Sequence, residues 1–188
     1  AARPRLRTMV TVLVAIFVVG ILVGANALYV AGEFASVSAR RSRIMQLADE
    51  GNRLARTVLP VLEDPNKLDN YIAASQVGIT LSSITLGIYG QRQLAPLIEP
   101  YLAALPLDRI TSRGSDAAAA GAAAILVLFV LTTLQVVFGE LLPKSLGIQY
   151  PERLALLTAL PMKWSAEYIL KPLIVLLNGS GRLILRLL

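Results

Sequence analysis

The chain has 188 residues, of which 55% are hydrophobic and only 16% are charged, whereas charged residues make up about a quarter of a typical water-soluble domain. It contains no cysteine and no histidine, which excludes disulfides, thiolate zinc sites and catalytic triads that use histidine. Carboxylates, hydroxyls, amides and backbone carbonyls remain as ligands, and these suit ions such as Mg²⁺, Ca²⁺ or Na⁺.

The first long apolar run, residues 8–32, contains no charged residue. It is longer than the roughly 20 residues that a helix needs to cross the hydrocarbon core of a bilayer. A cleaved signal peptide is the alternative, because Arg3, Arg5 and Arg7 precede the run. The apolar part of a signal peptide is only about 7–15 residues long, however. The run therefore predicts a retained membrane span.

Two further uncharged runs cover residues 71–91 and 117–139. The first of these carries several hydroxyl side chains, which are often only packing contacts between membrane helices. Beyond the third run, prolines and charges divide the chain into shorter apolar pieces. This pattern favours a juxtamembrane amphipathic helical region over residues 151–188, lying at the membrane interface, and disfavours a fourth span.

The segment between the first two spans predicts a pair of short helices. From residue 38 to residue 63, apolar side chains recur at helical spacing among charges, and Gly51-Asn52 is a usual boundary between one helix and the next. The expected fold is thus an all-α integral membrane protein, a single transmembrane domain over residues 1–188. It has three transmembrane helices, the short helix pair and a C-terminal juxtamembrane amphipathic helix.

Lysine and arginine are unevenly distributed around the three spans. Six of the 18 lie between the first two spans and six follow the third, against three before the first and three between the second and third. The positive-inside rule then predicts an outside N-terminus, a cytoplasmic C-terminus and a cytoplasmic helix pair. We expect a multi-pass protein of the plasma membrane, and the net charge of +6 indicates topology and not nucleic-acid binding.

Glu140 is a carboxylate at the end of the third apolar run, directly after Gly139. Pro143 has no backbone N–H, so the helix before it should have a carbonyl without its usual donor. A carboxylate beside a free carbonyl is the outline of a hard-cation site. The alternative is an ion pair between Glu140 and Lys144, which have the favourable i,i+4 spacing.

Ser82 and Ser83 in the second span could supply neutral oxygen ligands. Gly78 and Gly87 lie near them and would let another helix approach closely. One carboxylate with several neutral oxygens suits a cation that must also be released, whereas a cage of three or four carboxylates would retain it.

Five motifs occur in one order along the chain. They are Gly-Glu-Phe-Ala at 32–35, Arg-Arg-Ser-Arg at 40–43, Glu-Gly-Asn at 50–52, Gln-Val-Gly-Ile-Thr-Leu at 76–81 and Phe-Gly-Glu-Leu-Leu-Pro-Lys at 138–144. Together they resemble the membrane domain of the CorC / cyclin M (CNNM) magnesium transporters. The resemblance runs through nearly the whole chain, and the last motif is quite specific.

The resemblance implies a homodimer of three-span subunits in the lipid bilayer that exports Mg²⁺, with Na⁺ as the coupling ion and no enzymatic activity. Members usually continue into a pair of cytoplasmic CBS domains that bind ATP, and we expect such domains downstream of these residues. A membrane magnesium sensor or scaffold, which would regulate those domains without transporting anything, is the alternative function.

The resemblance also implies ion ligands. Glu140 as a carboxylate and Gly139 as a backbone carbonyl match the family pattern, and Ser83 falls where many relatives have an asparagine, with Ser82 as its competitor. The first span departs from the Ser-Gly-Ser-Glu pattern that some relatives have at 30–33. Its candidate ligands are Asn26, Glu33, Ser36 and Ser38. Glu33 could instead pair with Arg40 or Arg41.

Overall fold

The computed structural model describes residues 2–104 and 115–166. In these ranges every regular element is a helix, which confirms the predicted all-α fold. In chain order the elements are α1 (Ala2–Ser38), α2 (Arg41–Asp49), α3 (Arg53–Glu63), α4 (Pro65–Tyr89), a first π-helical segment (Gly90–Leu94), α5 (Ala95–Ala103), α6 (Ser115–Leu134), a second π-helical segment (Gln135–Leu141), α7 (Leu142–Gln149) and α8 (Pro151–Trp164).

Three stretches of helix are long and apolar enough to cross a membrane, as predicted. They are Met9–Ser38, Pro65–Ala103 and Ala117–Gln149. Each covers all or nearly all of one predicted apolar run and extends beyond its C-terminal end, because backbone hydrogen bonding continues past the charged residue that ends a run. In the described part of the chain α8 is too short for a fourth span. Residues 167–188 of the predicted juxtamembrane region lie outside the described residues.

The spanning helices expose large apolar side chains. Phe17 in α1 is 66% exposed, and Ile125 and Phe129 in α6 are 71% and 69% exposed. Contiguous apolar surface of this kind is rare on water-soluble monomers. In a bilayer the same side chains contact lipid or neighbouring helices at no hydration cost, so the chain is a multi-pass membrane protein.

The two short helices between the first two spans meet at the predicted boundary. Gly51 has φ of +94°, a left-handed conformation that glycine adopts without a steric penalty. The Asn52 side chain accepts hydrogen bonds from the N–H groups of Leu54 and Ala55, at 2.9 and 3.2 Å. These contacts end α2 and cap the start of α3, so the predicted helix pair is confirmed.

The described residues divide into two compact units. The first comprises residues up to Gly24 together with Ser82–Phe138, and the second comprises Ala25–Leu81 together with residues from Gly139 onward. The core of the first unit is formed by buried side chains of α4, α5 and α6, namely Leu86, Ala95, Ala123, Val127 and Leu131.

The core of the second unit joins the short helix pair to α8 and to the end of α1. Its buried members are small or branched apolar side chains, namely Ala35, Ile44, Ala48, Ala55, Val58, Ala155 and Ala159. The opposite side of α8 leaves Leu157, Trp164 and Lys163 exposed. A mixture of aromatic, aliphatic and basic residues is typical of a membrane interface.

An ion pair connects the residues that follow the first and third spans. Arg40 Nε lies 3.1 Å from Glu152 Oε1 in the second unit. The pKa of the Glu152 carboxyl is lowered from its ordinary value, first by its own backbone N–H and then by the Arg40 guanidinium. Arg40 and Glu152 lie two and three residues after the ends of the first and third candidate spans, so the ion pair joins the segments that follow these spans within this unit.

We predict that Gly78→Ala destabilises the protein, whereas Gly87→Ala, in the same helix, does not. A methyl group at Gly78 would lie 2.5 Å from the Tyr29 ring, but at Gly87 it would have no atom of another element of the described structure within 4 Å. The expected cost at Gly78 is about 1–3 kcal/mol, because two packed helices must separate. Gly87→Ala should leave the stability unchanged or raise it by up to about 1 kcal/mol, because alanine has a greater helix propensity than glycine.

Thermal unfolding of the two variants and the unsubstituted chain in the same detergent measures both effects. Equal melting temperatures for the two variants would show that α1 and α4 do not pack closely at Gly78.

Candidate ion-binding site

The third span changes its backbone geometry at the predicted position. Residues Gln135–Leu141 form a π-helical segment, followed by Pro143 in the first turn of α7. In a regular α-helix the N–H of residue 143 would donate to the carbonyl of residue 139, but proline has no N–H. The carbonyl that loses its α-helical donor is therefore the one on Gly139. Wider π-helical turns of this kind occur often at functional sites.

The Gly139 carbonyl accepts a hydrogen bond from the first span. Asn26 Nδ2 lies 3.0 Å from Gly139 O, and both residues belong to the second unit. The Asn26 side chain is only 1% exposed, and Gly139 is buried as well. A side chain from α1 therefore donates to the carbonyl that, in a regular α-helix, would have accepted a bond from residue 143. Of the predicted ligands, Asn26 and Gly139 are in direct contact.

Glu140 is half-buried and lies next to this contact in the chain. Lys144, its potential ion-pair partner, instead has its ammonium group 4.6 Å from the centre of the Phe34 ring. This is a cation–π distance. Among the described residues no ion pair joins Glu140 to Lys144. The i,i+4 alternative is therefore not the arrangement in this structure.

Glu33 is half-buried on α1, about two helical turns from Asn26. The Gln76 side chain and the charge of Lys144 both lie close enough to act on its carboxylate. The two arginines considered as its partners pair elsewhere. Arg40 pairs with Glu152, and Arg41 pairs with Glu63, each at 3.1 Å. Among the described residues no ion pair joins Glu33 to either arginine.

The two remaining candidates on α1 differ in their surroundings. Ser36 is buried, and its hydroxyl donates to the backbone carbonyl of Glu33 at 2.8 Å. This bond within one helical turn is common for serine in helices and needs no ligand to explain it. Ser38, the last residue of α1, is half-buried.

Ser82 and Ser83 belong to the first unit. Ser82 is buried, and Ser83 Oγ accepts a hydrogen bond from Gln135 Nε2. Gln135 was not among the residues that the sequence singled out. The signal was present, since it is an uncharged amide in an apolar run, and polar groups are costly in the membrane unless they have a partner.

Carboxylates are sparse around the Asn26–Gly139 contact. Among the described residues there is no group of three or more aspartate, glutamate, histidine or cysteine side chains that could hold a metal ion. Glu140 can supply one negative charge, while the Gly139 carbonyl and the Asn26 amide oxygen can supply neutral ligands. This donor set suits a partly hydrated hard cation and does not suit a tightly held transition metal.

Residues 9–188 match the family described as the cyclin M transmembrane N-terminal domain. The UPF0053 protein YhdT of Bacillus subtilis is 44% identical over 173 residues, covering 90% of this chain and 34% of YhdT. YhdP of the same organism is 37% identical over 172 residues, covering 92% and 36%. The polyamine export protein of Salmonella typhimurium is 27% identical over 172 residues, also covering 92% and 36%. The chain therefore spans about a third of the length of these relatives.

We predict that Asn26→Ala destabilises the protein by about 1–3 kcal/mol, the cost of leaving a buried polar group without a partner. Pro143→Ala restores a backbone N–H that can donate to the Gly139 carbonyl. The loss from Asn26→Ala should therefore be smaller, by about 1 kcal/mol, in the Pro143→Ala background. Thermal unfolding of the two single variants and the double variant measures this coupling.

Gln91→Ala is the matched control. Gln91 Nε2 donates to the Ala124 carbonyl at 2.9 Å, an equivalent bond between two helices. Position 128, four residues after Ala124, is not proline, so that carbonyl keeps a helical donor. The effects of Gln91→Ala and Pro143→Ala should add. Additive effects of Asn26→Ala and Pro143→Ala would mean that the asparagine does not replace the missing N–H.

Proposed function

The chain belongs to the cyclin M transmembrane N-terminal domain family, and from that premise we propose that it transports Mg²⁺ by alternating access, with Glu140 at the ion site. Three helices able to span a membrane support a transporter-like function. The contact of Asn26 with the Gly139 carbonyl, directly before Glu140, is the observation that carries the site assignment.

The proposed ligands fit the coordination chemistry of Mg²⁺. This ion prefers six oxygens at roughly 2.0–2.1 Å and gives up its water reluctantly. Glu140 would neutralise part of the charge, and the Gly139 carbonyl and Asn26 Oδ1 would replace two waters. The remaining positions stay hydrated or take a hydroxyl. Because only one carboxylate takes part, the ion is held weakly enough to leave again.

Ion binding changes the role of Asn26 in this mechanism. The Asn26 N–H that donates to Gly139 O points at an atom that the cation would contact. The carbonyl has two lone pairs and could accept this bond and still contact the ion, but Asn26 Oδ1 can coordinate the ion only if the amide rotates and Nδ2 turns away. The ion thereby breaks the hydrogen bond between the first and third spans. A ligand shifts a conformational equilibrium only if it binds one of the two conformations more tightly than the other.

The other predicted ligands enter the proposal through the family resemblance. Ser83, or Ser82 in its place, would add a neutral oxygen from the second span. Ser36 and Ser38 are weaker candidates, since Ser36 already bonds to its own helix. Glu33, within reach of the Lys144 charge, would be part of the ion path on α1.

The oligomeric state, the orientation, the coupling ion and the downstream domains are also proposed from the family. We infer a homodimer with the N-terminus outside, Na⁺ as the coupling ion and downstream CBS domains that bind ATP. The relatives are about three times as long as the matched region, which is consistent with additional domains. A relative named as a polyamine export protein makes an organic polycation the second candidate substrate.

We predict that Glu140→Gln lowers Mg²⁺ flux at least tenfold in proteoliposomes of the full-length protein, read with an entrapped magnesium dye. The substitution keeps the shape of the side chain and removes its charge. Ser83→Ala should lower flux less, because water can replace a neutral ligand. Glu63→Gln is the matched control and should retain flux, since Glu63 is exposed and pairs with Arg41 on the short helices.

Undiminished flux in Glu140→Gln would exclude Glu140 as the ligand. Flux of labelled spermidine in the same vesicles tests whether an organic polycation, the second candidate, is a substrate. Bound Mg²⁺ without flux of either cation, in protein with intact downstream domains, would favour a magnesium sensor or scaffold.

A further inference from the structure

Three arginines and a serine lie directly after the first span. We call Arg40, Arg41, Ser42 and Arg43, together with Gln46 one turn later, the arginine patch. Four of the five residues, all except Arg41, line a shallow, open pocket. All five are exposed to solvent. The patch does not belong to the candidate ion site and has no part in the transport mechanism proposed above.

The positive charge of the patch is only partly compensated by carboxylates. Arg40 pairs with Glu152 and Arg41 with Glu63, yet their side chains remain 80% and 60% exposed. Among the described residues Arg43 has no carboxylate partner; its Nη1 donates to Gln46 Oε1 at 2.7 Å.

Gln46 holds the Arg43 guanidinium in place through a short polar chain. Its amide nitrogen donates to Glu50 Oε1 at 2.9 Å, which directs its amide oxygen toward Arg43. One guanidinium edge is thereby used, and the other remains available to an anion. Glu50, the residue that follows α2, accepts this bond from Gln46, and among the described residues no ion pair joins it to an arginine of the patch.

The patch begins two residues after the end of the first candidate span. The first candidate span ends at Ser38 and the third at Gln149. The Arg40–Glu152 ion pair joins the segments that follow these two spans, and Tyr150, directly after the third span, is 52% exposed. Tyrosine is enriched at the depth of lipid headgroups. An arginine two to five residues beyond a span end is within reach of headgroup phosphates.

We propose that the arginine patch binds the phosphate group of an acidic phospholipid in the adjacent leaflet. A guanidinium presents parallel N–H groups that match phosphate oxygens, and juxtamembrane basic clusters are attracted to anionic lipid. The positive-inside pattern predicts that this leaflet is the cytoplasmic one, which carries a negative surface potential. An open, exposed patch favours a phosphate concentrated at the membrane surface over one free in solution.

The test counts lipids bound to the detergent-purified chain by native mass spectrometry. Phosphatidylglycerol and phosphatidylcholine with the same acyl chains are titrated separately, and inorganic phosphate is titrated in a third series as competitor. Arg43→Gln removes the uncompensated charge. Arg53→Gln removes the same charge from the exposed first residue of α3, which does not line the pocket, and is the matched control. Melting temperatures in phosphatidylcholine micelles confirm that both variants are folded.

We expect Arg43→Gln to weaken phosphatidylglycerol binding about fivefold, while Arg53→Gln stays within about twofold of the unsubstituted chain. Phosphatidylcholine should bind weakly to all three proteins. Equal losses in both variants would mean that diffuse charge, and not the patch, attracts the lipid. Unchanged binding in Arg43→Gln, or displacement of phosphatidylglycerol by an equal concentration of inorganic phosphate, would also overturn the proposal.

Discussion

The hydrogen bonding of the Gly139 carbonyl links the packing of the first and third spans to the proposed ion site. Pro143 removes its α-helical donor, the backbone widens into a π-helical segment, and Asn26 of the first span donates to it from a buried position. A buried carbonyl without any donor would cost about 1–3 kcal/mol, so the asparagine stabilises the contact between two spanning helices. The same carbonyl, beside Glu140, is also a suitable cation ligand. The same oxygen atom therefore accepts the hydrogen bond between the two spanning helices and is a proposed ligand of the ion.

A second part of the molecule fixes the ends of the spans. The short helices α2 and α3 pack on α8 through a small apolar core, and Arg40 bonds to Glu152 at its edge. Chain segments that follow the first and third spans are thus joined outside the predicted membrane region. If the end of the first span moved and broke the Asn26–Gly139 bond, the movement would be opposed by this apolar core and ion pair, which belong to the same compact unit.

Much of the fold could be predicted from the sequence because its signals are local. Uncharged runs predicted the three spans, and Gly51-Asn52 predicted a helix boundary that depends only on neighbouring backbone groups.

The contacts of Gly139 and of Lys144, the expected partner of Glu140, are made with residues far away in the sequence. Asn26 lies 113 residues from Gly139, so spacing could not identify it as the donor. Spacing also suggested Lys144 for Glu140, but tertiary packing places that ammonium over Phe34. Regular spacing shows which residues can meet along one helix, not which contact has the lower free energy.

High-resolution maps of the full-length protein, with saturating Mg²⁺ and with a chelator, would show whether Mg²⁺ binds beside Glu140 and displaces the hydrogen bond between Asn26 and Gly139. With Mg²⁺ we expect density beside Glu140 and the Gly139 carbonyl. We also expect the Asn26 amide to be rotated so that Nδ2 no longer donates to Gly139 O. With the chelator the hydrogen bond between Asn26 and Gly139 should be intact. An intact bond in both maps, with no density beside Glu140 at saturating Mg²⁺, would contradict the account.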